Sequence, residues 1–484
     1  MGRTQQIFTT VVASTISLLS GSVTTWPSYA IYQNRSNITV LSAPMSLSDD
    51  NILGALPFIG SMFGVIIIKY LMDKIGRKNA GLAIAIPFML SWCIIEISTS
   101  STWIQLARLL AGVSSGTSIV YCTAFAAEIA DDSIRGVLTS VPFTFFNLGV
   151  TCSYLMGWLL PYRAIIWINL CISVLLAFFI MTVVESPVFF AKKGYKEDAL
   201  VSIAYYKGAD QSSKTVQEKY YRLKRLTTPD VESLPNEDPD VKNDNIITVT
   251  NNIVTPKVYI KTQSLRILFI SQSFRRVFII LLVTTTLQVL MGMLTLQVYA
   301  YDIFVKSAPK LPPHSCAIYM AIVCSMATMT TSILTDIVGR RILLLTSAAL
   351  VAIFMAALGI SIQTNIAPAW LNVLLMFLYC YSFNVGVGSV PYILQAECFL
   401  PEIQTFASAI LVEWQWFISL FVISLFPYVN LNLGMYGSFY IFSFFGALST
   451  VVIYFFIPET KGLSIEQIQE VFTRKSVLYN VLVN

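Results

Sequence analysis

Two short stretches, DKIGRK at residues 73–78 and DIVGRR at residues 336–341, decide the fold of this chain. Each follows an apolar run long enough to cross a bilayer and directly precedes another, so each is a tight polar hairpin between two spans. The glycine permits a sharp reversal of the backbone, and the paired cations hold the hairpin on the cytoplasmic side. One hairpin in each half indicates an internal repeat of the kind found in membrane carriers.

The composition excludes an ordinary soluble protein, because 56% of the 484 residues are hydrophobic and only 12% are charged. Reading for apolar runs of roughly 20 residues gives about twelve spans. We therefore predict an all-α membrane protein of twelve transmembrane helices in two six-helix bundles. The spans lie near 7–30, 52–72, 79–98, 104–127, 137–159, 164–184, 277–303, 316–335, 342–362, 369–396, 406–428 and 435–457.

The same reading divides the chain into four parts. An N-terminal bundle (1–188) and a C-terminal bundle (266–462) flank a cytoplasmic linker (189–265), and a cytoplasmic tail (463–484) follows. Short helices are expected near 195–207 and 214–226, and the composition of 228–252 is typical of a flexible segment.

The basic residues orient the chain and argue against nucleic acid as a partner. With the amino terminus inside, all but five of the 31 Lys and Arg lie on the cytoplasmic side or its helix ends, so both termini are predicted to be cytoplasmic. Asn34 and Asn37 begin two glycosylation tripeptides on the outer side. We expect a multi-pass protein of the cell membrane, with the lipid bilayer and a small solute as its partners.

An enzyme is the least favoured class. No nucleophile, base and orienting group can be placed together, and the eight cysteines have no metal-type spacing. No phosphate-binding loop is found either, so no cofactor, metal or ATP-driven step is expected.

Charged residues stand at equivalent cytoplasmic helix ends in both halves. They form either a solvated rim or a set of ion pairs that stabilise the outward-open state and break when the inner face opens. The candidates for these gating pairs are Asp73, Arg77, Glu128, Arg135 and Glu185 in the first half, and Asp336, Arg340, Glu397 and Glu459 in the second.

The two hairpins, DKIGRK at 73–78 and DIVGRR at 336–341, belong to a longer series of motifs in fixed order. The others are Arg108 to Gly116, Glu128 with Arg135-Gly136, Glu185-Ser186-Pro187, GVGSVPY at 386–392 with Glu397, and PETKG at 458–462. In this series the chain resembles the sugar porter family of the major facilitator superfamily. Within that family it is most similar to insect facilitated trehalose transporters, through IGRKN at 75–79, AIPFMLSW at 85–92 and FNLG at 146–149. The resemblance implies twelve helices, a midplane sugar site and energy-independent alternating access.

The chain departs from the family at the positions that the resemblance assigns to the sugar. The seventh-span pattern Gln-Gln-x-Ser-Gly-x-Asn keeps its first amide, Gln288, but has Val289, Met291 and Leu294 at its other polar positions. An unmet buried hydroxyl costs about 1 to 3 kcal/mol, so replacement contacts are needed for a sugar. Gln297 lies nine residues after Gln288, about two and a half turns, so the two share a helix face. It is either such a replacement contact or a hydrogen-bond partner of a neighbouring helix. The candidate substrate-binding residues are Gln288, Gln297, Tyr392, Glu413, Trp414 and Asn147.

Glu413 stands where the family has an asparagine, and Lys69 replaces the usual glycine before Asp73. An acid at this depth should face the cavity, where it either binds a proton or cation and couples transport or stays protonated and donates to the substrate. Against coupling, the first span lacks the acid that proton-linked members of the family carry. Three functions therefore stay open: a facilitative sugar carrier, a carrier of another solute or one coupled to protons, and a non-transporting solute receptor.

Overall fold

The computed structural model describes residues 2–35, 41–42, 44–131, 134–227, 272–365, 367–399, 401–461, 463, 467–468 and 471–472. Over these ranges the regular structure is entirely helical. The first half contains six long helices: α1 (Gly2–Arg35), α2 (Leu47–Ile75), α3 (Arg77–Ile97), α4 (Ser101–Ile129), α5 (Arg135–Leu159) and α6 (Tyr162–Thr182).

Three short helices follow, and the second half repeats the long ones with more interruptions. The short helices are α7 (Pro187–Lys193), α8 (Lys196–Lys207) and α9 (Lys214–Thr227). The second half contains α10 (Gln272–Leu290), α11 (Met293–Val298), α12 (Ala300–Ser307), α13 (Pro313–Val338), α14 (Arg340–Thr364), α15 (Ala369–Val385), α16 (Val390–Cys398) and α17 (Pro401–Phe456). The predicted flexible segment at 228–252 lies outside the described residues, as does most of the tail.

Ten helical segments in the described part of the chain are long and apolar enough to cross a membrane. One of them, Phe406–Phe456, has 51 residues and is broken at Gly434, whose φ is 70° and ψ is 173°. The two arms of this segment correspond to the predicted spans 406–428 and 435–457. The chain is therefore a multi-pass membrane protein.

Small residues let α2 and α4 approach each other closely. A Cβ on Gly60 would lie 2.1 Å from the Leu109 carbonyl oxygen, and one on Gly112 would lie 2.2 Å from that of Pro57. Ser61 donates to the Gly112 carbonyl at 3.1 Å in the same contact. The small residues that the sequence places on these two helices thus face one another.

The seventh predicted span is not one helix. α10 ends at Leu290, Gly292 has φ 83°, and α11 begins at Met293. The expectation that Gln297 continues the helix face of Gln288 is therefore wrong, because the helical phase is lost at this glycine. Discontinuous helices of this kind occur at transporter binding sites, where they free backbone groups.

The two halves meet through a few helix pairs. α2 packs against α17, and α5 packs against α13. Tyr154 donates its hydroxyl hydrogen to the Gln297 carbonyl at 2.6 Å, and the Tyr301 amide donates to the Ser28 hydroxyl at 3.0 Å. These bonds join the halves near the ends that the sequence predicts to be extracellular, with α1 and α5 on one side and α11 and α12 on the other.

Candidate functional site

The first hairpin is held by the carboxylate of Glu185. Its two oxygens accept the backbone N–H groups of Arg77 at 2.7 Å and Lys78 at 3.0 Å, so they cap the amino terminus of α3. The hairpin glycine, Gly76, has φ 92° and ψ 174°, and a Cβ there would lie 2.2 Å from a Glu185 carboxylate oxygen. Glycine is required here for both the backbone angle and the space.

Burial raises the pKa of the Glu185 carboxyl above its ordinary value, although the N–H groups of Ser186, Arg77 and Lys78 and the Arg77 guanidinium oppose the shift. The proton affinity of this group therefore depends on how closely α3 and the segment after α6 stay together.

The guanidinium of Arg77 extends the same corner to α4. Its Nη2 contacts the Glu128 carboxylate at 2.6 Å, and Nη1 donates to the Met72 carbonyl at 2.8 Å. The other Glu128 oxygen accepts from the Ser186 hydroxyl at 2.5 Å. We call Gly76, Arg77, Glu128, Glu185 and Ser186 the N-corner.

The second hairpin repeats this arrangement with different residues. Glu459 accepts the backbone N–H groups of Arg340 at 2.9 Å and Arg341 at 3.1 Å, while Arg340 Nη2 contacts Glu397 at 2.8 Å. Arg340 Nη1 donates to the Thr335 carbonyl at 3.1 Å, and Thr460 donates to the second Glu397 oxygen at 3.0 Å. We call Gly339, Arg340, Glu397, Glu459 and Thr460 the C-corner.

The two corners correspond contact by contact, and each joins helices of one half only. Six of the nine predicted gating residues lie in them: Arg77, Glu128, Glu185, Arg340, Glu397 and Glu459. Asp73 lies at the edge, 4.0 Å from Arg77 with its side chain 60% exposed. Arg135 is exposed at the start of α5, and the side chain of Asp336 lies outside the described residues.

A second group of polar residues lies between α10, α16 and α17. The Trp414 indole N–H donates to the Thr286 hydroxyl at 2.8 Å, and the Tyr392 hydroxyl donates to the Gln415 amide oxygen at 2.8 Å. Gln288 donates to the Gly388 carbonyl at 3.2 Å, and its own buried Oε1 has no hydrogen-bond partner among the described residues. Three predicted substrate residues thus lie on neighbouring helices.

Asn147 is buried on α5, in the other half. Its side chain donates to the Phe143 carbonyl at 3.2 Å, one turn before it on α5. The Phe143 ring packs on Tyr392, with ring centroids 5.8 Å apart. Gln297 lies in α11, toward the predicted outer side, where its carbonyl accepts from Tyr154.

Glu413 occupies a different face of α17 from Trp414. Phe406 and Trp416, seven residues before and three after it, contact α2 through Lys69 and Phe58. Glu413 therefore lies on the side of α17 that faces the first half. Its Oε2 is buried without a hydrogen-bond partner in the described part of the chain.

Arg108 is a buried cation to which the sequence assigned no role. Its side chain is 1% exposed and stacks on the Trp26 ring, with the guanidinium carbon 5.3 Å from the ring centroid. Its Nε and Nη1 have no hydrogen-bond partner among the residues that the structure describes. A charged residue in the apolar stretch of α4 was the available signal, since such residues are rare inside spans.

Of the two asparagines that begin the predicted glycosylation tripeptides, one lies in the described part of the chain. The side chain of Asn34 is 2% exposed near the end of α1, a setting that disfavours its modification in this state. Asn37 lies outside the described residues.

Two helical halves, matching charged corners at one end and a polar, aromatic interface between them define a transporter of the major facilitator class. A sequence profile of the sugar (and other) transporter family matches residues 1–472, and the chain belongs to this family.

Relatives and solved structures agree with that assignment. The facilitated trehalose transporter of Apis mellifera ligustica is 23% identical over 484 residues, covering 98% of this chain and 89% of its own length. The sugar transporter ERD6-like 6 of Arabidopsis thaliana is 24% identical and covers 88% of this chain and 83% of its own. An inward-open structure of the xylose transporter XylE from E. coli has a TM-score of 0.74 at 21% identity, covering 96% of this chain and 98% of that one.

Proposed function

We propose that this protein is a facilitative carrier that moves a sugar, such as trehalose or a hexose, across the cell membrane by alternating access. In this proposal twelve spans form two six-helix bundles with both termini in the cytoplasm. The observation that carries it is the pair of equivalent corners, each of which fastens the helices of one half without crossing to the other. Two internally fastened halves suit motion as rigid bodies about the interface between them.

The polar group between α10, α16 and α17 contains the groups that a sugar requires. Trp414 and Tyr392 are aromatic surfaces held in place by hydrogen bonds to Thr286 and Gln415. The buried Oε1 of Gln288, which has no hydrogen-bond partner in the described ranges, is an acceptor for a hydroxyl hydrogen. Since an unmet buried polar group costs about 1 to 3 kcal/mol, a hydroxylated solute at this position would be favoured over an apolar one.

The composition of α1 supports transport without proton coupling. The helix Gly2–Arg35 contains no acidic residue, and the buried Arg108 beside it stacks on Trp26. Proton coupling requires a group that exchanges a proton during the cycle, and α1 offers no carboxylate for that role. Movement that follows the solute gradient needs no such exchange.

A carrier of a less hydroxylated solute is the second candidate. Val289 and Met291 are both buried where the family pattern places polar side chains. Apolar walls of this kind fit a solute with fewer hydroxyl groups, because each unmatched hydroxyl would lose its hydrogen bonds to water.

Uptake by the purified protein in liposomes tests the proposal. Radiolabelled trehalose or glucose should equilibrate across the membrane without accumulation, at a rate unchanged by an imposed pH gradient. Flux of another solute only would favour the second candidate. Binding without flux would identify a receptor, and accumulation driven by the pH gradient would establish proton coupling.

Two tryptophan variants locate the site within the same assay. Trp414→Ala should reduce flux at least tenfold by removing the ring that borders the polar group between α10, α16 and α17, an effect of about 1.4 kcal/mol on the barrier. Trp167→Ala, which removes a ring that is 52% exposed on the outside of α6, should leave flux unchanged. Equal flux in the two variants would contradict the placement of the solute at Trp414.

A further inference from the structure

The segment that carries Glu185 lies between two helices and has no regular structure of its own. α6 ends at Thr182 and α7 begins at Pro187. The Glu185 carboxylate accepts the first N–H groups of α3, so the place of this segment decides whether the N-corner is formed. Carbonyl groups that follow the end of a helix have no partner within that helix. The segment 183–186 therefore depends on hydrogen bonds from outside.

The linker helix α8 supplies two of these bonds. The Tyr206 hydroxyl donates to the Val184 carbonyl at 2.5 Å, and the Ser202 hydroxyl donates to the Glu185 carbonyl at 2.6 Å. The two side chains are four residues apart on one face of α8, and they are 1% and 0% exposed. A buried carbonyl left without a donor is costly, so these hydroxyls hold the backbone of the segment in place.

The carboxyl end of α8 is itself fixed to the first half. Gln6 of α1 donates to the Tyr206 carbonyl at 2.8 Å and accepts the Asp131 backbone N–H at 3.0 Å. Lys207 Nζ contacts the Asp131 carboxylate at 3.0 Å, and a Cβ on Gly2 would lie 2.4 Å from the Lys207 carbonyl oxygen. The start of α1 and the end of α4 therefore hold α8 against the bundle.

A second face of α8 belongs to the linker. Ala199 and Ile203 are buried in one apolar cluster with Val216 and Tyr220 of α9. α8 thus lies between the rest of the linker and the segment 183–186, and it contacts both. Any displacement of the linker helices acts on that segment through the two hydroxyls.

We propose that Ser202 and Tyr206 are positioning residues, which hold the Glu185 carboxylate on the amino terminus of α3 and make the cytoplasmic linker a working part of the N-corner. The same segment carries Ser186, whose hydroxyl contacts Glu128, so both acids of the N-corner depend on it. The consequence for transport rests on the proposed alternating-access function. A loosened N-corner lets the first half deform instead of moving as one body, which slows the cycle without touching the solute site.

Hydrogen exchange at the Arg77 and Lys78 amides tests the positioning without any solute. Tyr206→Phe and Ser202→Ala each remove one hydroxyl and should raise exchange at both amides about tenfold, the effect of losing one buried hydrogen bond. Tyr205→Phe is the matched control, because it removes the hydroxyl of the neighbouring ring, which is bonded to neither carbonyl. The protein is studied at full length in lipid nanodiscs, with site resolution from electron-transfer fragmentation.

The C-corner is an internal reference in the same molecules. Glu459 accepts the Arg340 and Arg341 amides there, as Glu185 accepts the first amides of α3. Exchange at Arg340 and Arg341 should stay at the wild-type rate in Tyr206→Phe and Ser202→Ala. A rise at both corners would show a general loosening of the fold and would overturn the positioning role.

A double-mutant cycle asks whether the hydroxyl acts through the carboxylate. Glu185→Ala removes the acceptor and should raise exchange at the Arg77 and Lys78 amides by itself. Tyr206→Phe should then add nothing in the Glu185→Ala background, because two changes on one path are not additive. Equal effects of Tyr206→Phe in both backgrounds would overturn the proposal, as would wild-type exchange in both single variants.

Uptake of radiolabelled trehalose or glucose into liposomes tests the consequence for transport. Tyr206→Phe should lower the maximal flux about fivefold and leave the KM unchanged, whereas Tyr205→Phe should match the wild type. Raised exchange with unchanged flux would overturn the link between the linker and the cycle. Absence of flux in the wild type would contradict the proposed function alone, since the exchange experiment decides the positioning without it.

Discussion

Gly76 and Gly339 connect α2 to α3 and α13 to α14, with φ of 92° and 96° and ψ of 174° and 160°. Residues other than glycine rarely adopt this region. A Cβ on Gly339 would lie 2.6 Å from Glu459 Oε2, as one on Gly76 would crowd Glu185. Each glycine therefore admits the carboxylate that caps the next helix, and the sharp turn and the cap depend on each other.

Gly76→Ala should lower the thermal unfolding midpoint of the detergent-purified protein by several degrees. The unfavourable backbone angle costs about 1–3 kcal/mol, and the displaced carboxylate adds to it. Gly136→Ala is the control, because no heavy atom lies within 4 Å of the Cβ it would add. Equal midpoints for the two variants would argue against the tight corner described above.

Glu128 and Asp73 both approach Arg77, but the structure separates their roles. Removing the Glu128 charge leaves Arg77, 5% exposed, without its close partner, so Glu128→Gln should cost about 3–5 kcal/mol of stability. Asp73 is 60% exposed at 4.0 Å, so Asp73→Asn should cost under about 1 kcal/mol. Chemical denaturation in detergent measures both, and a larger loss for Asp73→Asn would contradict the observed geometry.

Asp131 links the linker helices to the first half and predicts a pH effect. Burial acts to raise the pKa of its carboxyl, but the hydrogen bonds from Gln6 and Lys207 and the charges of Lys219 and Lys207 outweigh it and hold the pKa below the usual value. Protons therefore bind more tightly in the unfolded state, and the stabilisation is present above the ordinary carboxyl pKa.

The attachment of α8 and α9 should accordingly be lost as the pH falls through the lowered pKa of Asp131. Hydrogen exchange over residues 196–227 should rise below about pH 4, after correction for the intrinsic pH dependence of exchange. Asp131→Asn should show raised exchange already at neutral pH. No difference between the variant and the wild type at neutral pH would refute the link.

At the scale of the helices, α2 and α4 show how small residues set a packing distance. Gly112→Ala places a methyl group about 2.2 Å from the Pro57 carbonyl oxygen, so the helices must separate and the folded yield should fall. Leu106→Ala on the same helix removes a side chain that is 41% exposed and should be tolerated. Size-exclusion profiles of the two variants decide the comparison.

The sequence was enough to locate the long helices but not the breaks within them. Apolar length and the hairpin glycines predicted the turns at Gly76 and Gly339, because a charged turn between two spans is a local signal. The break at Gly292 was missed, since a glycine in an apolar run does not reveal whether the helix continues through it. The error displaced Gln297 from the face it was expected to share with Gln288.

At the scale of the whole molecule, tertiary contacts decided what local patterns could not. The sequence identified the charged residues of both corners, yet their pairing within each half depends on three separate segments meeting at one point. It also identified Glu413, but its position opposite α2 follows from the register of two helices far apart in the chain. The sequence did not assign a role to Arg108, because the partner of its guanidinium is an aromatic ring and not an acid.

Accessibility of the interface from both membrane faces tests the central claim most directly. Cysteines introduced one at a time at Phe143 and Gln415, in the background with Cys93, Cys152 and Cys171 replaced by Ala, are treated with a membrane-impermeant thiol reagent from each side of oriented vesicles. Alternating access predicts that both positions react from both faces, and that trapping one conformation with a cross-link abolishes reaction from the opposite face. Reaction from one face only under every condition, with or without solute, would contradict the carrier and favour a fixed receptor.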